Sequence, residues 1–100
     1  GNIAIIVDPE TSIREKIQPD VLVDAIMAKR NTGIKITDAP LVIGAGPGFY
    51  AGRDVHFVLE TNHSNNLGTV ITSGEAEKNT GTPVAIGGFT RERVIWASHA

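Results

Sequence analysis

The 100-residue sequence predicts an α/β protein in which a small parallel β-α-β unit is followed by a β-hairpin and a C-terminal strand. Residues 3–7 (IAIIV) are a continuous apolar run of strand length, the pattern of a parallel strand buried on both faces, and residues 21–27 (VLVDAIM) are a second run of buried type with Asp24 in its middle. Residues 54–61 (DVHFVLET) alternate instead, which is typical of a half-buried strand. This change of pattern divides one compact domain into residues 1–52, the parallel unit, and 53–100, the hairpin region and final strand.

A short helix is predicted between the first two strands. Asp8 offers a carboxylate to free N–H groups at a helix start, and Pro9 suits the first helical position because it has no N–H. Ile13 and Ile17 lie one helical turn apart and form one apolar stripe. Pro19 ends the helix.

The remaining elements follow from turn signals. Residues 41–43 form a third apolar strand that leads into a glycine-rich turn. The polar cluster at 62–66 predicts the loop of a hairpin whose partner strand is 67–74. Residues 75–88 are rich in Gly, Thr, Pro and Asn and predict an irregular loop, after which 91–98 (RERVIWAS) predicts the last strand.

Composition excludes several classes of function. The apolar share of 41% is that of a soluble globular protein, and a net charge of −2 argues against a nucleic-acid binder. The sequence has no run of membrane-spanning length and no signal peptide, so we expect no membrane partner and a cytoplasmic location. The chain has no cysteine, which excludes disulfides and thiolate metal sites. Since both ends fall beside apolar strands, we expect a fragment of a larger protein.

The glycine-rich stretch 41–56 (LVIGAGPGFYAGRDVH) is the least ordinary part of the sequence. Gly46, Gly48 and Ala51 match the dinucleotide pattern G-x-G-x-x-A. That fingerprint requires a helix directly afterwards, but an alternating strand begins within a few residues. The stretch therefore predicts a tight turn between strands, with or without a nest of N–H groups for an anion.

Three cations lie near this turn in the predicted topology. Lys29 and Arg30 follow the second strand, and Arg53 lies beside the turn. If the second and third strands are parallel neighbours, these cations gather at the carboxyl ends of the strands, where ligands bind in open α/β sheets. The alternative is a solvated surface of cations. Asp24 is expected to be buried, and its carboxylate to be paired with Lys29 or Arg30.

Other side chains offer little evident chemistry. His56 and Glu60 share one face of the alternating strand, but a histidine there is more often hydrogen-bonded scaffolding than a metal ligand, so no metal is expected. No serine lies in a nucleophile elbow, and no triad is evident. The residues alone therefore name no reaction, and whether the chain is part of an enzyme stays open.

Three motifs together carry a family resemblance that covers residues 5–97. They are DAIMAKRNTG (24–33), APLVIGAGPGF (39–49) and DVHFVLETN (54–62), followed by an NTGTP…GGFT…RV tail. The sequence resembles the YqeB-type accessory proteins of selenium-dependent molybdenum hydroxylases, which are related to the accessory proteins of xanthine dehydrogenase.

The resemblance implies a maturation factor that binds a molybdopterin-type cofactor or another anionic ligand and has a molybdenum hydroxylase as its protein partner. NAD or another nucleotide is implied only for a segment that precedes this one in the family. A homo-oligomer is also expected. The implied cofactor-binding residues are Lys29, Arg30, Asn31, Thr32, Gly44, Gly46, Gly48, Arg53 and His56.

Two alternatives stay open at this point. The chain is a structural or dimerisation segment with no ligand of its own, or it is part of an enzyme that acts on the cofactor. The absence of cysteine argues against the chain itself carrying sulfur or selenium, because a carrier normally needs a thiolate.

Overall fold

The computed structural model describes residues 1–78, 80, 82 and 85–95, which are organised around one four-stranded mixed sheet. The strand order is β1-β2-β3-β4, with β1, β2 and β3 parallel and β4 antiparallel to β3. The predicted α/β class is therefore confirmed. The elements are α1 (Ile13–Ile17), β1 (Val21–Asp24), β2 (Leu41–Ala45), β3 (Phe57–Leu59), β4 (Val70–Ile71) and a 3₁₀ turn at Arg91–Arg93.

The predicted helix forms, but it begins at Ile13 and not at Pro9, which lies in the turn before it. The Asp8 carboxylate accepts hydrogen bonds from the Ile13 N–H at 2.8 Å and from the Ser12 hydroxyl at 3.0 Å. These bonds satisfy donors that a helix start otherwise leaves free, and they hold the pKa of Asp8 below its usual value.

The first predicted strand, residues 3–7, is wrong as a member of the sheet. This run is exposed along its length, and β1 pairs with β2 alone among the described strands. The second predicted strand ends at Asp24 rather than at residue 27, because Met27 and Lys29 both adopt positive φ angles that a strand does not accommodate. Asp24 is half-buried rather than buried, and its carboxylate accepts the Ile26 N–H at 3.1 Å.

The parallel arrangement of the second and third predicted strands is confirmed, with Val21 opposite Leu41 and Asp24 opposite Gly44. Parallel strands usually need a long crossover helix. Here the crossovers 25–40 and 46–56 contain no helix. Loops close both connections.

The predicted hairpin is confirmed with shorter strands, since β3 and β4 pair through Val58 and Ile71. The face prediction for the alternating strand is wrong. Alternation predicts that Phe57 and Leu59 face the core and that Val58 and Glu60 lie on the wetter face. In the structure Val58 and Glu60 are buried, whereas Leu59 is partly exposed. The predicted final strand does not begin at Arg91, because residues 91–93 form the 3₁₀ turn; residues 96–98 lie outside the described part of the chain.

The core is small and centres on Phe49. It contains Val42, Val55 and Val58, all fully buried, and the Phe49 ring folds back over Gly44 of β2. A Cβ atom at Gly44 would lie 2.5 Å from that ring, so only glycine permits this packing. The ring thereby closes the end of β2 over the core.

We expect Phe49→Ala to lower the free energy of unfolding by about 3–5 kcal/mol, because it deletes a buried ring and leaves a cavity. Phe89→Ala is the matched control, since Phe89 is 58% exposed and Phe49 only 3%. Urea unfolding followed by circular dichroism measures both. Equal losses in the two variants would contradict this placement of the core.

Candidate functional site

The carboxyl ends of β1, β2 and β3 lie on one side of the sheet because the three strands are parallel. We call this side the carboxyl edge; it consists of residues 24–30, 46–49 and 60–62. The three segments meet at Gly46, where a Cβ would lie 3.0 Å from the Thr61 hydroxyl oxygen and 3.2 Å from the Met27 methyl carbon. The glycine thus lets two neighbouring loops contact the backbone of the turn.

The absence of a side chain at Gly48 lets the backbone of Arg30 pack against the glycine-rich turn. Its φ is +110°, and a Cβ there would lie 2.6 Å from both the backbone nitrogen and the Cα of Arg30. No side chain of any other residue fits this contact, because the obstructing atoms are backbone. The structure therefore places Lys29 and Arg30 beside the glycine turn, as the sequence predicts for parallel neighbours.

This edge contains two cations, several amide donors and the carboxylates of Asp24 and Glu60, both of which accept backbone N–H groups. Lys29 and Arg30 are exposed, and neither forms an ion pair or a hydrogen bond with any described residue. The Gly46 N–H donates to the Leu59 carbonyl at 2.9 Å, and Pro47 has no N–H. The N–H groups of Gly48 and Phe49 have no acceptor within the described part of the chain. This set of donors suits an anion.

Arg53 is committed to a different set of contacts. Its guanidinium pairs with Asp54 at 3.2 Å and lies 4.8 Å from the centre of the Tyr50 ring. The hydrogen bond from Arg53 holds the pKa of Asp54 below its usual value, and Asp54 in turn raises the pKa of Arg53. Asp54 also accepts the Tyr50 N–H at 2.9 Å. These contacts close the turn at 50–54, so the Arg53 charge is already balanced.

His56, which directly precedes β3, forms two hydrogen bonds to Val42 of β2. The imidazole Nδ1 of His56 accepts the Val42 N–H at 2.9 Å, and the backbone N–H of His56 donates to the Val42 carbonyl at 2.8 Å. An imidazole nitrogen that accepts a hydrogen bond carries no proton, so Nε2 holds the proton of the neutral ring. The histidine thereby satisfies a backbone donor on a fully buried residue of β2.

The other residues implied by the resemblance lie around the same edge in structural roles. Asn31 accepts the N–H groups of Gly33 and Ile34 at 2.9 and 2.8 Å, and its amide donates to the Ile34 carbonyl. Asn31 therefore shapes the turn after the cations. Thr32 is exposed and lines a cavity beside β1. Gly44 lies under the Phe49 ring.

Glu60 has a structural role that the sequence reading missed. Its side chain is buried, yet the carboxylate accepts the N–H groups of Asn62 at 3.1 Å and Glu77 at 2.9 Å. Hydrogen bonds to Glu77 from Asn62, Asn66 and Ser64 hold the pKa of Glu77 below its usual value. Both donors are backbone N–H groups, so no residue type in the sequence marks these bonds.

Two further features bear on function. The described residues contain no group of three or more histidine, aspartate or glutamate side chains placed to hold a metal ion. Among the same residues, no helix has the length and hydrophobicity required to cross a lipid bilayer.

The fold and the edge together define a small open α/β segment with loops converging at the carboxyl ends of its parallel strands. The chain is 49% identical over all 100 residues to the uncharacterized protein YqeB of Escherichia coli (strain K12). It spans 18% of the length of that relative. No protein-family model matches the chain, and no solved structure matches it.

Gly48→Ala tests the contact that positions the cations. We expect it to destabilise by about 1–2 kcal/mol from the positive φ and by about 1–3 kcal/mol more from overpacking against Arg30. Gly52→Ala is the control, because its φ is +89° and nothing lies within 4 Å of the added atom. Urea midpoints measure the difference, and equal losses would place the Arg30 backbone elsewhere.

His56→Ala tests the hydrogen bond between the imidazole and the Val42 N–H. We expect a loss of about 1–3 kcal/mol, because the buried Val42 N–H loses its acceptor. His63→Ala, at an exposed loop position, should leave the unfolding midpoint nearly unchanged. Faster hydrogen exchange at the Val42 amide in the His56 variant alone is the specific readout; unchanged exchange would contradict the assignment.

Proposed function

We propose that this chain is the anion-binding part of an accessory factor that matures a selenium-dependent molybdenum hydroxylase. Its ligand is a molybdopterin-type cofactor or another anionic molecule held at the carboxyl edge. The observation that carries the proposal is the packing of the Arg30 backbone against Gly48, because Arg30 and the adjacent Lys29 have exposed cationic side chains with no ion-pair partner among the described residues. The similarity to YqeB supports the family context, while that protein is itself uncharacterized.

The local cations support the proposal, although the chain has a net charge of −2 and the edge also contains Asp24 and Glu60. Both carboxylates accept backbone N–H groups, whereas Lys29 and Arg30 have no ion-pair partner among the described residues. Arg14 and Arg53 are each within 3.2 Å of an aspartate, so their charges are locally balanced. Lys29 and Arg30 are adjacent in the chain and exposed, and their charges therefore add at one place. A pterin cofactor carries a phosphate, and cations with free backbone N–H groups are the groups that bind phosphate.

In this proposal the edge binds the phosphate of the cofactor, and one polar side chain nearby is available to its ring system. The Thr61 hydroxyl lies at the meeting point of the three loops, close to Gly46. A hydroxyl there can donate to or accept from a polar ring system. In this arrangement Lys29, Arg30 and the N–H groups of Gly48 and Phe49 hold the phosphate. Arg53, His56 and Asn31 keep the loops in place through contacts they already make.

A second interpretation is a structural or dimerisation segment with no ligand of its own. The specific observation in its favour is the large number of exposed apolar side chains near the N-terminus and along β1. Such side chains indicate an interface rather than a ligand site.

Titrating the chain with phosphate, pyrophosphate and a molybdopterin-type pterin by calorimetry tests the proposal. We expect Lys29→Ala/Arg30→Ala to raise the Kd for the anions by roughly tenfold or more, since each charged hydrogen bond is worth about 1.5 kcal/mol or more. Lys35→Ala, an exposed cation on the same loop, should not change the Kd. Arg53→Ala should change it little, because Asp54 already balances that charge.

The outcomes separate the two interpretations. Weaker binding in the double variant alone supports the anion site. No binding by the folded native chain, or equal weakening by Lys35→Ala, would contradict it. A thermal midpoint that rises with each anion only in proteins that keep Lys29 and Arg30 would support the site independently.

A further inference from the structure

Residues 3–7 form an apolar segment that no described part of the chain covers. Ile3, Ile5 and Val7 alternate along one side of it, and their exposures are 92%, 95% and 97%. Their backbone groups form no hydrogen bonds within the described part of the chain. A β-branched run of this kind has the composition of a strand that lacks a partner. We call it the N-terminal apolar segment.

The free edge of β1 is a surface with which such a segment can pair as a strand. Among the described strands β1 pairs with β2 alone, so its other edge presents unpaired backbone groups. Val21 and Val23 on this strand are also largely exposed. An apolar edge strand of this kind is a template for pairing with another strand.

A cavity beside the same strand provides room for side chains. Its volume is about 280 Å³, and it lies between α1, β1 and the Asn31 turn. An engineered cavity of about 150 Å³ accommodates benzene, so this space is large enough for more than one aliphatic side chain. Its apolar lining consists of Ile13, Leu22, Val23, Ile26 and Ile34.

The segment does not reach this edge in its own chain. The Asp8 carbonyl accepts the Thr11 N–H at 3.0 Å, while the Asp8 carboxylate binds Ser12 and Ile13. These three bonds fix the turn that follows Val7, and residues 3–7 remain exposed and unpaired with β1. The turn of a second copy lies on another molecule, so its position is not restricted by the path of this chain from Val7 to β1.

We propose that two copies of this chain exchange their N-terminal apolar segments. Residues 3–7 of each copy lie along the free edge of β1 of the other, with Ile3, Ile5 and Val7 directed into the cavity. The arrangement is isologous, because each copy gives one strand and receives one. Backbone hydrogen bonds along the edge provide affinity, and the cavity selects the apolar side chains.

The apolar area suffices for a dimer. Burying one Val or Ile side chain removes on the order of 100 Å² from water. Seven such side chains per copy are exposed on the two surfaces, and after allowing for their exposure they give roughly 1,000 Å² over the dimer, about the minimum for a specific interface. The exposed side chains are Ile3, Ile5, Ile6, Val7, Val21, Val23 and Ile26.

Sedimentation equilibrium over a concentration series tests the assembly. We expect a species of twice the 10.6 kDa chain mass, and Ile5→Asp should raise the dimer dissociation constant by about 100-fold, because two unpaired charges would enter the interface. Ile95→Asp is the control, since Ile95 is also 95% exposed. A monomer at every concentration, or equal effects of the two variants, would overturn the proposal.

Disulfide trapping identifies the pairing, because the native chain has no cysteine. Ile5→Cys protein is mixed with Val23→Cys protein and oxidised, and a covalent heterodimer is expected. Val70→Cys replaces Val23→Cys in the control, since Val70 is 59% exposed but lies on the opposite edge of the sheet. Equal trapping by both overturns the proposal, as does an Ile5→Cys/Val23→Cys chain that cross-links only within itself. Neither experiment depends on an anion, so this inference fails or stands separately from the proposed function.

Discussion

The close approach of backbone to its neighbours at residues 44–48 is the constraint on which the rest of the structure depends. At Gly44 the space that a Cβ would take is occupied by the Phe49 ring, and at Gly48 by the backbone of Arg30. The first contact closes the core, and the second attaches the loop after β1. Both contacts involve crossovers that contain no helix, so close packing at these glycines positions the loops together with the hydrogen bonds of the polar residues around the turn.

The polar residues around this turn divide into those with partners and those without. His56, Arg53 and Asn31 each bond to a nearby backbone group or carboxylate, and these bonds fix loops that no helix supports. Lys29 and Arg30 have no such role among the described residues. The polar contacts of the loops therefore involve residues other than these two cations.

The exposed apolar side chains indicate an interface, which is a different kind of site from the one considered at the carboxyl edge. The buried core consists mainly of valine and alanine with one phenylalanine, whereas large aliphatic side chains near the N-terminus and on β1 are exposed. A small core stabilises a chain of this length only modestly. Burial of the exposed aliphatic side chains would therefore stabilise the protein more than any change within the existing core.

The sequence by itself determined the elements whose signals are local. The carboxylate of Asp8 five residues before Ile13 and the apolar run of β2 predicted a helix start and a strand, and the structure contains both. Only the tertiary structure decided which face of β3 is inward, because alternation shows which side chains share a face and not where that face points. Glu60 is buried with its carboxylate bonded to the N–H of the distant Glu77 as well as to that of nearby Asn62. Residues 3–7 lie outside the sheet although the edge of β1 is free, which shows that a strand-like composition alone does not place a segment in a sheet.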